Sequence, residues 1–242
     1  TGDAEIAIRI QIDNDEVTLS IDSTGPGLNK RGYRAHNDDA SLRETLAAGM
    51  ILISRWRTQK DILFDPFCGT GTICIEAGLI AENRAPGLTR EFAAEKWPII
   101  AEKLWENARE DAISQIKTDV DFTIIGSDRN QRALETAKKN AQLAGLNTIT
   151  FEQRQLADVV PAGDSGKIIC NPPYGQRLGN NDDIEALYQD MGNIFTKDFP
   201  DWTYYVLTAH EEFEHLFGKK SRKHRKLYNG GIKCFYYQYF DY

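Results

Sequence analysis

Asp61-Ile62-Leu63-Phe64-Asp65-Pro66-Phe67-Cys68-Gly69-Thr70-Gly71-Thr72 joins an apolar run to an acid, a proline and two glycines that flank one threonine. The run predicts a short buried strand, Gly69-Thr70-Gly71 a tight loop, and Ile73 to Ala81 a helix. Strand, glycine loop and helix form the opening unit of a nucleotide-binding α/β fold, in which small residues let a ligand approach backbone amides. Such a glycine pair occurs in many loops, so the rest of the chain has to agree with it.

Towards the C-terminus, Phe122 to Asp128 reads as a second core strand that again ends in an acid. Asn130 to Ala144 reads as a helix closed by Gly145, and short strands follow at Thr148 to Glu152 and Lys167 to Cys170. A helix around Ile184 to Phe195, a strand Tyr204 to Thr208, a short helix Glu211 to Phe217 and an aromatic-rich strand Ile232 to Phe240 complete the pattern. Between the first two core strands, Ala85 to Arg90 is a loop and Glu91 to Lys117 is helical, interrupted near Trp97-Pro98.

Towards the N-terminus, Ser41-Leu42-Arg43-Glu44 has capping-box spacing and starts a helix running to about Arg57, with Leu42, Leu46, Met50 and Ile53 on its buried face. Ile6, Ile8, Ile10 and Ile12 alternate with polar residues, Asp13-Asn14-Asp15-Glu16 signals a turn, and Val17, Leu19 and Ile21 alternate again, a β-hairpin by periodicity. Residues 1–35 are thus expected to form a small β-rich lead-in and 36–242 the main domain. Alternating strands and helices predict an α/β, Rossmann-like, doubly wound and mostly parallel sheet covered on both faces.

A second anchor follows the run Lys167-Ile168-Ile169-Cys170: Asn171-Pro172-Pro173-Tyr174. Two prolines, without backbone N–H and with fixed φ, stop the strand and turn the chain. Asn171, as a pre-proline residue, is biased to an extended backbone that leaves its carbonyl and side-chain amide free to face a pocket. Amide acceptors beside an aromatic ring at a strand's carboxyl end suit a planar base carrying an amino group.

A nicotinamide fingerprint fails, because Cys74 stands three past Gly71 and Asp128 lies fifty-seven residues beyond it. A Walker loop fails for want of a lysine after Gly71. Asp65 at one strand end, Cys68-Gly69-Thr70-Gly71 after it, and Asp128 at the next strand end suit S-adenosylmethionine, which has no phosphate to cradle. Its ammonium pairs with an acid such as Asp65, and its ribose diol with the paired oxygens of Asp128. The alternative for Asp128 is a residue capping the following helix.

At 242 residues, with 41% hydrophobic and 27% charged residues, the chain can bury a sizeable core. No apolar run approaches a membrane span, and Thr1-Gly2-Asp3-Ala4-Glu5 does not read as a signal peptide. The scattered Cys68, Cys74, Cys170 and Cys234 form no CxxC pair, so no metal site is expected and a reducing cytoplasm is the simple reading. A net charge of −7 argues against a surface that grips nucleic acid all over. Two basic clusters, Lys30, Arg31 and Arg34, and the 219–226 run with six Lys or Arg, read either as solvated loops or as an RNA approach.

The Asp65 to Gly71 loop and the Asn171 to Tyr174 turn resemble motifs I and IV of class I S-adenosylmethionine-dependent amino-methyltransferases. Lys30-Arg31-Gly32-Tyr33-Arg34, Leu42 to Ala48, Asp65 to Thr72, Asn83-Arg84-Ala85-Pro86-Gly87, Asn171 to Leu178 and Lys226-Leu227-Tyr228-Asn229-Gly230 together resemble the THUMP-associated RNA methyltransferases. That family includes enzymes methylating guanine N2 in large-subunit ribosomal RNA. The resemblance implies a seven-stranded class I sheet, an RNA-binding THUMP region upstream of Thr1, and transfer to an exocyclic amine of RNA. It also implies that Asn171, Pro172 and Tyr174 act on the target base, while Asn171 contacts the cofactor too. Gln155 stands where such enzymes often place an acid for the adenine amino group. Adenine N6 in DNA or RNA, guanine N2 in transfer RNA, and a cofactor-binding module without catalysis are the competing readings.

Overall fold

A computed structural model describes residues 6–34, 42–174 and 181–240. Strands β1 (Ala7–Asp13) and β2 (Glu16–Asp22) form the expected hairpin, pairing Ile8 with Ile21, Ile10 with Leu19 and Ile12 with Val17. These six side chains form one aliphatic face, each more than half exposed. The segment after the hairpin is bound to the rest of the chain. The Ala94 amide donates to the Ser23 carbonyl, and the Arg90 guanidinium spans the carbonyls of Thr24, Pro26 and Gly27.

Helix α1 (Glu44–Ser54) leads to the quoted stretch, which folds as strand β3 (Ile62–Asp65), a glycine loop and helix α2 (Thr72–Ala81). Ser41 of the expected capping box lies outside the described residues, and the Glu44 carboxylate pairs with Arg34. The expected long helix over 91–117 is a 3-10 turn, Ala93–Lys96, and helix α3 (Glu102–Ser114), separated where Pro98 removes a backbone donor. Then come β4 (Ile124–Asp128), α4 (Gln131–Leu143), β5 (Thr150–Gln153), β6 (Gly166–Cys170), α5 (Asn181–Asp198), β7 (Thr203–Thr208) and α6 (Phe213–Phe217). The Asn130 side chain caps α4 by accepting from the amides of Arg132 and Ala133. Strands β8 (Lys223–Asn229) and β9 (Ile232–Tyr239) close the chain. β8 occupies half of the basic run that reads as a loop in the sequence.

Seven strands make one sheet in the order β5-β4-β3-β6-β7-β9-β8. All neighbouring pairs from β5 to β7 are parallel, and β9 is antiparallel to both β7 and β8. This is the expected α/β sheet, with the central strands buried on both sides. One core packs α1, α2 and α4 against the sheet, including Met50, Ile75, Leu134 and Tyr236. The other packs α5 and α6 through Tyr188, Met191, Phe195, Phe213 and Phe217. At Gly126 in β4 a Cβ would stand 2.9 Å from Cys74 Sγ and 3.0 Å from Cys68 Cβ, so α2 and the loop before it lie against bare backbone. Among the described residues no helix is long and apolar enough to cross a membrane, and no cluster of His, Cys, Asp or Glu could hold a metal ion.

Candidate active site

β3 is flanked by β4 on one side and β6 on the other, with Asp65 opposite Gly126 and Phe64 opposite both Ile125 and Ile168. The chain leaves β3 towards one edge of the sheet and leaves β6 towards the other. The carboxyl ends of these strands therefore form a topological switch point, where α/β sheets bind ligands. Asp65 ends β3, Asp128 ends β4, and Asn171 follows the last residue of β6.

The glycine loop is pinned from several directions. Cys68 N donates to Ser127 O at 2.9 Å, Gly69 N to Asp128 Oδ2 at 3.0 Å, and Gly71 N to Cys68 O at 2.8 Å. Asn140 Nδ2, from α4, donates to Thr70 O at 3.1 Å. Gly71 has φ +87°, and a Cβ there would stand 3.0 Å from Ala137 Cβ and 3.2 Å from Phe151 Cζ. A side chain is excluded by both conformation and space. Asp128 Oδ1 accepts Asn130 N at 2.8 Å, so this carboxylate ties the loop to the end of β4 while Asn130, not Asp128, caps the helix.

Asp65 is 1% exposed. Burial pushes its carboxyl well above the usual range; the Phe67 amide, donating to Oδ1 at 3.0 Å, opposes that, and the nearby Asp128 charge adds to it. Burial likewise raises the Cys68 and Cys74 thiols, which keeps both neutral.

At the tetrapeptide, Asn171 Oδ1 is closed off from water and has no hydrogen-bond partner. Such an acceptor costs about 1–3 kcal/mol until a donor reaches it. Pro172 is buried, and the Tyr174 ring is 7% exposed within the core, its hydroxyl 3.8 Å from Cys234 Sγ. Below the turn, the Tyr188 hydroxyl donates to Pro173 O at 3.0 Å and lies 2.9 Å from Thr208 Oγ1, which also accepts His210 N at 3.1 Å. Tyr188 and Thr208 were not legible as site residues. The stripe Ile184, Tyr188, Met191 and Phe195 at helical spacing is a signal, since a tyrosine on a buried face needs a partner for its hydroxyl.

The structure brings Asp65, Cys68, Gly69, Thr70, Gly71, Asp128 and Asn171 to the carboxyl end of the central strands. Gln155 is exposed two residues after β5, its carbonyl accepting Asp158 N. Gly175, Gln176, Arg177 and Leu178 lie outside the described residues. Two members of the basic cluster at 30–34 are corrected as an RNA approach: Arg31 and Arg34 face inward, while Lys30 is exposed. The Arg31 guanidinium donates to Glu76 Oε2 at 3.2 Å, and Tyr33 OH donates to Glu76 Oε1 at 3.0 Å. Arg34 pairs with Glu44 and donates to Leu42 O and Thr72 Oγ1. Charges that read as solvated in the sequence find acids on α1 and α2, and clamp the helix that begins at the glycine loop.

The sheet order, the glycine loop at its switch point and the proline turn beside it define a class I methyltransferase fold. More narrowly, the chain belongs to the family described as RMKL-like, methyltransferase domain, whose model matches residues 31–238. It is 42% identical over 239 residues to YpsC of Bacillus subtilis (strain 168), a candidate RNA methyltransferase, covering 98% of this chain and 62% of that protein. It is 37% identical over 237 residues to the ribosomal RNA large subunit methyltransferase K/L of Shewanella baltica (strain OS195), covering 96% of this chain and 33% of that protein. Among solved structures, SMU.472, a candidate methyltransferase crystallised with SAH, superposes with a TM-score of 0.90 at 40% identity, covering 98% of this chain and 62% of that one. The chain thus spans less than two thirds of the length of the relatives it matches.

Proposed function

We propose that this chain is the catalytic domain of an S-adenosylmethionine-dependent methyltransferase that modifies the exocyclic amine, N2, of guanine in RNA, with large-subunit ribosomal RNA as substrate. The single observation that carries the reading is the orphaned, buried Asn171 Oδ1 beside Pro172, one strand away from the buried Asp65 and its glycine loop. The K/L relative's ribosomal RNA activity and the SAH held by SMU.472 support the choice of substrate and cofactor. Residues 1–35 are proposed as the lead-in from an upstream RNA-binding THUMP region, and 36–242 as the catalytic domain.

The residues present fit the cofactor. Asp65 offers a desolvated carboxylate to a cationic group, and Asp128 keeps lone pairs for a ribose diol beyond its two backbone bonds. The Cys68-Gly69-Thr70-Gly71 backbone leaves room for close approach, with nothing within 4 Å of a Cβ built at Gly69. Gln155 would accept the adenine amino group through its side-chain carbonyl. When bound, S-adenosylmethionine supplies an electrophilic methyl group, open to attack along its sulfur–carbon axis.

The target amine is a poor nucleophile because its lone pair is delocalised into the base. The Asn171 Oδ1 and the Pro172 carbonyl accept hydrogen bonds from its two N–H groups and hold the nitrogen in a more tetrahedral form, freeing the lone pair. No strong base precedes this step, because the amine loses its proton only after becoming cationic. Fixing nucleophile and methyl donor in near-attack geometry lowers the barrier further. Tyr174 stacks on the flipped base, which requires its ring to leave the Cys234 contact as the base enters. The same two acceptors serve adenine N6 in DNA or RNA, and guanine N2 in transfer RNA, which remain the alternative substrates.

Calorimetry with S-adenosylmethionine tests the cofactor, and binding of NAD instead overturns it. The Asn171→Ala variant should retain cofactor affinity and lose methyl transfer; a variant that still transfers at the wild-type rate refutes the role given to Asn171.

A further inference from the structure

On the edge of the sheet beyond β7, the strands β8 and β9 carry a checkerboard of cations and rings. Antiparallel register sets Lys226 directly opposite Phe235 and Tyr228 directly opposite Lys233, with His224 opposite Tyr237 one pair further along. Directly opposed residues, and residues two apart on one strand, share a face. The four side chains Lys226, Phe235, Tyr228 and Lys233 therefore form one square with its charges on one diagonal and its rings on the other. Lys226 Nζ lies 5.5 Å from the Tyr228 ring centroid and Lys233 Nζ 5.2 Å from that of Phe235. His224 meets the Phe235 ring edge-on at 5.8 Å. Tyr228 is 55% exposed, His224, Lys226 and Lys233 are exposed, and Phe235 is half-buried.

On the neighbouring strand β7, this face meets the buried groups that support the proline turn. Phe235 is directly opposite Thr208 of β7, and Thr208 Oγ1 meets the Tyr188 hydroxyl that holds the Pro173 carbonyl. Two strand spacings, roughly 10 Å, separate β7 from β8.

We infer that this face is a stacking platform for single-stranded RNA, taking the nucleotides that flank the target base. The inference rests on the RNA reading above and extends it to a surface. Exposed rings interleaved with cations suit a strand whose bases stack and whose phosphates are neutralised, and the arrangement is tolerant of sequence. A duplex, whose bases are already stacked, cannot use the rings. Glu211 holds Lys233 at 3.1 Å in an exposed pair, which a phosphate can replace at little cost. An edge strand bearing lysine also discourages sheet-to-sheet aggregation, a role that needs charge but no ring.

The test uses the full-length protein and a fluorescein-labelled single-stranded polyuridine probe, with anisotropy read across a salt series. Tyr228→Ala is expected to weaken binding about tenfold, and Tyr228→Phe to restore it. Lys226→Gln is expected to flatten the salt dependence by somewhat less than one unit of slope. Cofactor affinity, measured in parallel by calorimetry, should not move in any of the three variants. If the wild type binds the probe and methylates RNA while Tyr228→Ala binds equally well, the platform is overturned and the proposed function stands. If the wild type transfers no methyl group to RNA yet Tyr228→Ala still weakens the probe, the proposed function falls and the platform stands. A wild type that binds no probe overturns the platform.

Discussion

The Tyr188 hydroxyl donates to the Pro173 carbonyl at 3.0 Å, so helix α5 fixes the turn that carries Asn171. Tyr188 is fully buried and its hydroxyl also meets Thr208, which ties the turn to the end of β7. Tyr188→Phe keeps the ring packing and removes both bonds. The expected result is a loss of stability of about 1–3 kcal/mol in urea unfolding. A drop in the rate of methyl transfer should accompany it, with cofactor affinity retained. Equal stability and rate would mean that the turn holds itself.

Gly71→Ala should impair the cofactor loop. At φ +87° an L-residue costs roughly 1–2 kcal/mol. The added methyl also presses on Ala137 Cβ at 3.0 Å and Phe151 Cζ at 3.2 Å. Calorimetry with S-adenosylmethionine should report weakened binding, and wild-type affinity would contradict the loop's role.

With Asp65 facing the cationic group, as proposed, cofactor binding should depend on pH. Its folded carboxyl is raised, chiefly by burial, so the folded protein holds a proton that the unfolded chain releases above about pH 4. Stability from this group is therefore present below that point and is lost as pH rises through the window up to the raised value. A cationic ligand favours the ionised carboxylate, so affinity should rise with pH across the window and binding should release a proton. Calorimetry in two buffers of unlike ionisation enthalpy detects the release, which Asp65→Asn should abolish. Binding without proton release would remove Asp65 from the cationic end of the ligand.

The Arg31–Glu76 pair is buried, its side chains 10% and 2% exposed. Arg31→Ala leaves the Glu76 carboxylate among buried groups with Tyr33 as its remaining partner, and should cost about 3–5 kcal/mol. The salt dependence of RNA binding should be unchanged, because this arginine faces inward. A flattened salt slope with unchanged stability would return Arg31 to the RNA surface.

The central architecture was legible because its residues dictate geometry locally. An apolar run before two glycines makes a strand, a loop and a helix, and a pair of prolines ends β6 where the site is needed. Asn130 and Gly145 bound α4 for the same kind of reason, a side-chain cap and a positive φ. What the sequence hid depends on distant partners. Arg31 and Arg34 read as a solvated basic cluster until Glu76 and Glu44 are brought to them. β8 carries no apolar alternation because it is an edge strand exposed on both faces for most of its length, so its charges masked its pairing with β9. Tyr188 sits in a helix that was legible, yet its partners Pro173 and Thr208 lie fifteen and twenty residues away.

The most direct test of the proposed function incubates the protein with methyl-labelled S-adenosylmethionine and unmodified ribosomal RNA, transfer RNA or DNA, then digests each polymer to nucleosides. The expected result is label in N2-methylguanosine from large-subunit ribosomal RNA, lost in Asn171→Ala. Label in N6-methyladenine, or in DNA alone, would contradict it.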